Sequence, residues 1–209
     1  SAAPFNALLT IATTGAAAMS SEMILLFTYQ NIYGYLYHKV GLVVAVFMLG
    51  LAGGGWGTSR TLHSTKDKRL FLAGLQLMVA GYLLLLPLMA SFFRWSFSWS
   101  PAAVGEAIFM GGVCVAGMLT GGVFPLAGTV YLSARPRPGE AAGWIDAMDH
   151  AGALLGAMLT GTLFLPIMGT GQTCLFISAI NAACAIFVVM DRIFCPNVSP
   201  HPFLSGPSS

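Results

Sequence analysis

The sequence predicts an all-α, polytopic transmembrane bundle of about six membrane-spanning helices, and three observations predict it. Only 8% of the 209 residues are charged and 56% are hydrophobic, whereas soluble domains carry about 25% charged residues. Seven acids and nine bases cannot cover a soluble surface of this size. The apolar runs are continuous and long enough to cross about 30 Å of hydrocarbon, and they lack the alternation of barrel strands. Glycine supplies 25 residues, above its ordinary ~7%. Within apolar segments it lets transmembrane helices pack closely. Mean hydropathy is +0.79.

Six spans follow along the chain, at approximately 7–30, 40–59, 70–92, 102–132, 142–167 and 172–193. The first has no basic leader and no cleavage site, so it is not read as a secretory signal; it continues through Glu22 into a Tyr-rich end. The second stops before Arg60, and the third begins after Lys68 and Arg69. The fourth and fifth contain Pro125 and Pro166, which call for helix breaks satisfied within protein. The fifth opens with Asp146, Asp149 and His150, and the sixth closes at Arg192. Residues 1–194 form the membrane domain, and 195–209, with four of the eleven prolines, read as an irregular tail. A chain beginning at Ser1 is consistent with a processed or excised piece of something longer.

Lys and Arg set the orientation. Arg60, Lys66, Lys68 and Arg69 in loop 2–3, Arg135 and Arg137 in loop 4–5, and Arg192 put seven on one side, against Lys39 and Arg94 on the other. Both termini are therefore expected inside, in a multi-pass protein of a bacterial inner membrane. Tyr33, Tyr35, Tyr37, Trp95 and Trp99 fit an interfacial belt on the opposite side. Small-xxx-small pairs at Gly50/Gly54, Gly53/Gly57, Gly117/Gly121 and Gly152/Gly156 predict close helix crossings.

The composition excludes other classes. Net charge +2 without a basic cluster gives no phosphate footprint, so nucleic acid is not a partner. The four cysteines form no CxxC; Cys114, Cys174 and Cys184 read as small apolar fillers. No metal-site motif is present. Haem b requires two histidines facing each other at one depth. Of the four histidines, His38 lies on the opposite side and His201 in the tail, so only His63 and His150 could meet.

The stretches Gly15-Ala-Ala-Ala-Met-Ser-Ser-Glu22, Tyr33-Gly-Tyr and Val46-Phe-Met-Leu-Gly50-Leu-Ala-Gly-Gly, then Gly122-Val-Phe-Pro125-Leu-Ala and Gly143 through Gly169, occur in one order over most of residues 12–170. Together they resemble the membrane domain of the fused transmembrane/spermidine-synthase-like family. That family's first helix carries a Tyr-Glu motif; here the Tyr position is Ser21, and only Glu22 is kept. The resemblance implies a domain attached to a cytoplasmic Rossmann-like aminopropyltransferase domain, which these residues do not contain. The glycine-rich Gly53–Gly57 lies in an apolar span without a βαβ unit or the acidic residue of a nucleotide loop, so it reads as helix packing.

Candidate chemistry rests on four side chains. Glu22 lies inside the first span, where a charge is expensive, and helical spacing stacks it with Gly15 and Tyr29. It is read either as a proton- or ligand-binding carboxyl or as a packing hydrogen bond. Asp146 and His150 are an i, i+4 pair; Asp146 and Asp149 are expected to share a face with Gly152 and Gly156. This cluster either binds a cation or quinone head group, with His150 exchanging the proton, or complements the helix N-terminus. No catalytic residue and no cofactor is predicted. The leading expectation is a non-catalytic membrane module, an anchor or structural subunit whose partners are the bilayer and other protein subunits. The alternatives are a quinone- or proton-handling subunit of a membrane redox complex and a transporter of a small polyamine-like cation.

Overall fold

The computed structural model describes residues 3–34, 39–62, 64–65, 67–96 and 102–194. Among these residues all regular structure is helical: α1 (Ala3–Tyr33), α2 (Val40–Thr61), α3 (Lys68–Ser96), α4 (Ala102–Ala134), α5 (Pro138–Leu159), a π-helical turn (Thr160–Phe164) and α6 (Leu165–Phe194). Tyr35, Tyr37, His38, His63, Lys66, Trp99 and the tail 195–209 lie outside the described residues, as do the side chains of Arg94 and Trp95.

Five stretches are long and apolar enough to cross a membrane: Pro4–Tyr33, Val40–Thr61, Lys68–Phe92, Ala103–Ser133 and Pro138–Phe194. The fifth, 57 residues long, occupies the place of two expected spans. Its helix breaks at Gly169, with φ 73° and ψ 174°, a backbone that favours glycine. The rings of Phe164 and Phe176 lie 5.2 Å apart across the break. Twelve residues of straight helix would separate them by about 18 Å, so the chain doubles back there. Ahead of the break, the Leu165 N–H donates to the Thr160 carbonyl, closing the π turn. Pro166 has no N–H to offer the preceding turn, and the wider turn absorbs that loss. Pro125, by contrast, sits inside an α4 that continues without a break, as Pro87 does in α3.

α1 is the most enclosed helix, with 61% of its most apolar window buried. It packs chiefly on α5, α4 and α6, while α2 packs on α4 and α3 on α6. The α2–α4 crossing is made by glycine on both sides. A Cβ on Gly50 or Gly54 would overlap the carbonyls of Cys114 and Met118, and one on Gly117 or Gly121 those of Phe47 and Leu51. Gly152 and Gly156 approach the carbonyls of Ala12 and Ala16 in the same way. A Cβ on Gly53 or Gly57 would meet no other element within 4 Å among the described residues. That expected pair is not a packing pair, because the face carrying Gly50 and Gly54 already meets α4.

Partner residues rise together along α1 and α5 and along α2 and α4, so each pair runs parallel. α3 and α6 run antiparallel, since Arg69 meets Asp191 and Ala80 meets Ser178. The core forms two clusters, one around Tyr29, Phe47, Phe109 and Leu83, the other around Ile11, Leu72, Leu126 and Val188. Ion pairs Arg69–Asp191 (3.3 Å) and Arg192–Asp67 (2.6 Å) close the end beyond the second cluster. Lys39–Glu106 (2.6 Å) closes the end beyond the first.

Candidate functional site

Gly15, Glu22 and Tyr29 share a stripe of α1 and all three are buried. Glu22 is 5% exposed, and its Oε2 has no hydrogen-bond partner among the described residues. Seven residues further, about 10 Å along the helix, Tyr29 donates through its hydroxyl to Glu106 Oε1 (3.2 Å), which also holds Lys39. Tyr29 stacks on Tyr33 and meets Phe109 edge-on.

Asp149 is half-buried on α5, and its main-chain oxygen and Oδ1 lie 2.5 Å and 2.8 Å from where a Cβ on Gly15 would stand. α1 can carry no side chain there. Glu22 is two turns further along, so the structure does not join the two carboxyls at one point. Ser20 and Thr160 span the gap between α1 and the π turn, with hydroxyls 2.7 Å apart.

Asp146 departs from the expected face. Its side chain is 67% exposed and that of His150 75%, whereas Gly152 and Gly156 are buried against α1. At 100° per residue, Asp146 and His150 lie 40° apart, but Asp146 lies 120° from Gly152. The His150 Nδ1–H donates to the Asp146 carbonyl oxygen at 2.8 Å, and Nδ1 stands 3.6 Å from Asp146 Oδ1. His150 also lies deep along the helix, with Asp146 one turn nearer the end. Gly152, beside His150 in sequence, meets Ala12; nearby Thr10 meets Cys184 (3.4 Å); Cys184 is seven residues, about 10 Å, from the terminal ion pair at Asp191.

Two features are not expected from the sequence. Gln76 is wholly buried between α1 and α3: its Nε2 donates to Thr13 Oγ1 (3.1 Å), and its Oε1 accepts from Thr14 Oγ1 (3.1 Å). Near it, Asn181 donates to the Ile177 carbonyl (2.9 Å), and its Oδ1 is unpaired among the described residues. A lone amide within an apolar run was the available signal for each. The second feature is a cavity of about 830 Å³ at the Lys39–Glu106 end. It is lined by Thr28, Asn31, Ser91, Pro166, Gly169 and Thr170 among others, none of them charged. No group of three His, Cys, Asp or Glu side chains able to hold a metal occurs among the described residues. Compared with known proteins, no known family, curated protein or solved structure matches the chain.

Proposed function

We propose that the chain is a non-catalytic integral-membrane module, a structural subunit of a larger membrane assembly that crosses the bilayer six times with both termini inside. The observation that carries this reading is the exposed Asp146–His150 pair on α5. His150 stands about 10 Å inside the terminal ion pairs and Asp146, one turn nearer that end, about 4 Å inside them, on a helix that also exposes Trp144, Leu154, Leu155 and Met158. Ionisable groups at such depth face protein or water, because hydrocarbon solvates them poorly. A partner helix over α5 supplies that protein. Buried Thr10, Thr14, Ser20, Gln76, Thr160 and Ser178 support the same reading, since each serves a helix–helix contact within the chain. The resemblance of residues 12–170 to a membrane domain that is one part of a larger protein agrees with it.

The six crossings draw support from the reversal at Gly169 and from Arg69 and Arg192 meeting at one end. Extraction into native nanodiscs tests the function. The reading expects the particle to hold a stoichiometric protein partner, a second copy included. Recovery of single chains that alone carry a cation such as spermidine into liposomes contradicts it. A second reading, proton handling, is favoured by one observation, the Oε2 of buried Glu22, which is unpaired among the described residues. Loss of complex activity in Glu22→Gln with assembly intact would establish it.

A further inference from the structure

We propose that the cavity between α1, α3 and the break at Gly169 binds a neutral, membrane-soluble molecule of the quinone class, held by its ring oxygens. The inference goes beyond the subunit reading and does not rest on it, because the described walls of the cavity all belong to one chain. At about 830 Å³ the cavity falls in the range of small-molecule sites, about 300–1,000 Å³. Thr28, Asn31 and Thr170 bring polar groups to it, and Phe27, Pro87 and Pro166 give it apolar walls.

Two independent observations place unmet hydrogen-bonding groups there. Thr28 lines the cavity and is more than nine-tenths buried (8% exposed), yet it makes no hydrogen bond among the described residues. Other buried threonines, Thr10, Thr14 and Thr120, turn their hydroxyls back onto the carbonyl four residues earlier. The second observation is the break itself. A helix that restarts after Gly169 (φ 73°) leaves its first main-chain N–H groups without helical acceptors, and the segment before it leaves its last carbonyls without donors. Irregular backbone at membrane depth persists where it is buried in protein or lines a cavity, and Gly169, Thr170 and Gly171 line this one.

The chemistry of the lining selects the ligand. None of the described lining residues is charged, and Lys39 and Glu106 at the same end neutralise each other at 2.6 Å. The break presents a positive and a negative helix end together, so their partial charges compensate. An ion would give up its hydration here without a countercharge, so the ligand is neutral. A sugar would set hydroxyls unpaired against the apolar walls. An acyl chain would leave Thr28 and the freed N–H groups unpaired. A quinone meets both demands: its ring lies against Phe27 and the prolines, and its carbonyl oxygens accept from the Thr28 hydroxyl and from the N–H groups that follow Gly169. Such a molecule reaches the cavity through the bilayer.

Binding to the whole chain in nanodiscs tests the proposal, with a decyl-tailed benzoquinone as probe, decylbenzene as the tail-matched control and empty nanodiscs as the blank. Saturable uptake of the benzoquinone above the blank is expected, and none of decylbenzene. Thr28→Val keeps the shape of the side chain and removes its hydroxyl; it should weaken binding about fivefold, the loss of one neutral hydrogen bond. Thr28→Ser should restore it. Ala90→Phe, which fills the cavity from α3, should abolish binding, while Gly74→Ala, away from the cavity, should leave it unchanged. Absence of saturable uptake, equal uptake of decylbenzene, or indifference to Ala90→Phe or to Thr28→Val would each overturn the site. Failure of the subunit reading looks different: nanodiscs would then hold one chain and no protein partner, with benzoquinone binding intact.

Discussion

Gly156→Ala adds one methyl group to α5, and the structure sets its consequence. The new Cβ would stand 2.6 Å from Ala16 Cα and 2.9 Å from its carbonyl carbon, where carbon atoms ordinarily rest about 3.5–4.0 Å apart. Both obstacles are main-chain atoms, so no rotamer change relieves the overlap, and α5 has to withdraw from α1 by about 1 Å. Withdrawal loosens the Ser20–Thr160 contact one turn further on and the helix seam around it. Overpacking of this kind costs about 1–3 kcal/mol. For a chain of this size that lowers Tm by about 2–12 °C, and Gly156→Leu should lower it further or reduce extraction yield. Gly74→Ala is the control, because nothing lies within 4 Å of Gly74 in α3; it should be neutral or slightly stabilising. The assay is thermal unfolding in one detergent, followed by loss of the monodisperse peak. If Gly156→Leu unfolds at the same temperature as the parent, the α5 glycine face is not in contact with α1 and the packing argument fails.

Other outcomes follow from the same contacts. Asp191→Ala should destabilise by about 1 kcal/mol, because it removes one partner of Arg69, at 3.3 Å, where both side chains are largely covered; an exchange to Arg69→Asp with Asp191→Arg should recover part of the loss, as read by Tm. Gln76→Leu should also destabilise, since Thr14 Oγ1 and Thr13 Oγ1 lose their shared partner, by about 1–3 kcal/mol, whereas Gln76→Glu should prevent assembly more severely through an unpaired buried charge. Glu22→Gln should leave extraction yield unchanged because the amide keeps the shape of the side chain; a collapse in yield would show that Glu22 is held by a contact the carboxylate alone can make.

The helical class was legible because it depends on composition and run length, which survive any detail of packing. The glycine pairs were legible where their stripe faces a neighbour: Gly50, Gly54, Gly117, Gly121, Gly152 and Gly156 all meet main chain. Spacing could not tell them from Gly53 and Gly57, because a small-xxx-small pattern does not say which side of a helix has a partner. Asp146 was misplaced for a related reason: i, i+3 proximity to Asp149 suggested one face, while α1 covers only the Asp149 side. The partners of Gln76 and the Tyr29–Glu106–Lys39 cluster were not legible. They are far apart in sequence, and only the meeting of α1 with α3 and α4 brings them together. Pro166 was read as a break, but the reversal belongs to Gly169, whose positive φ no spacing rule reveals.

Six crossings with both ends inside require the Gly169 reversal to emerge on the outer side. Single cysteines at Asn31, Thr170, Thr65 and Arg137, in a background with the native cysteines replaced, can be challenged in intact cells with a membrane-impermeant maleimide. Labelling is expected at Asn31 and Thr170, beside the reversal, and protection at Thr65 and Arg137 until the cells are opened. Protection at Thr170, or labelling at Thr65 from outside, would contradict it.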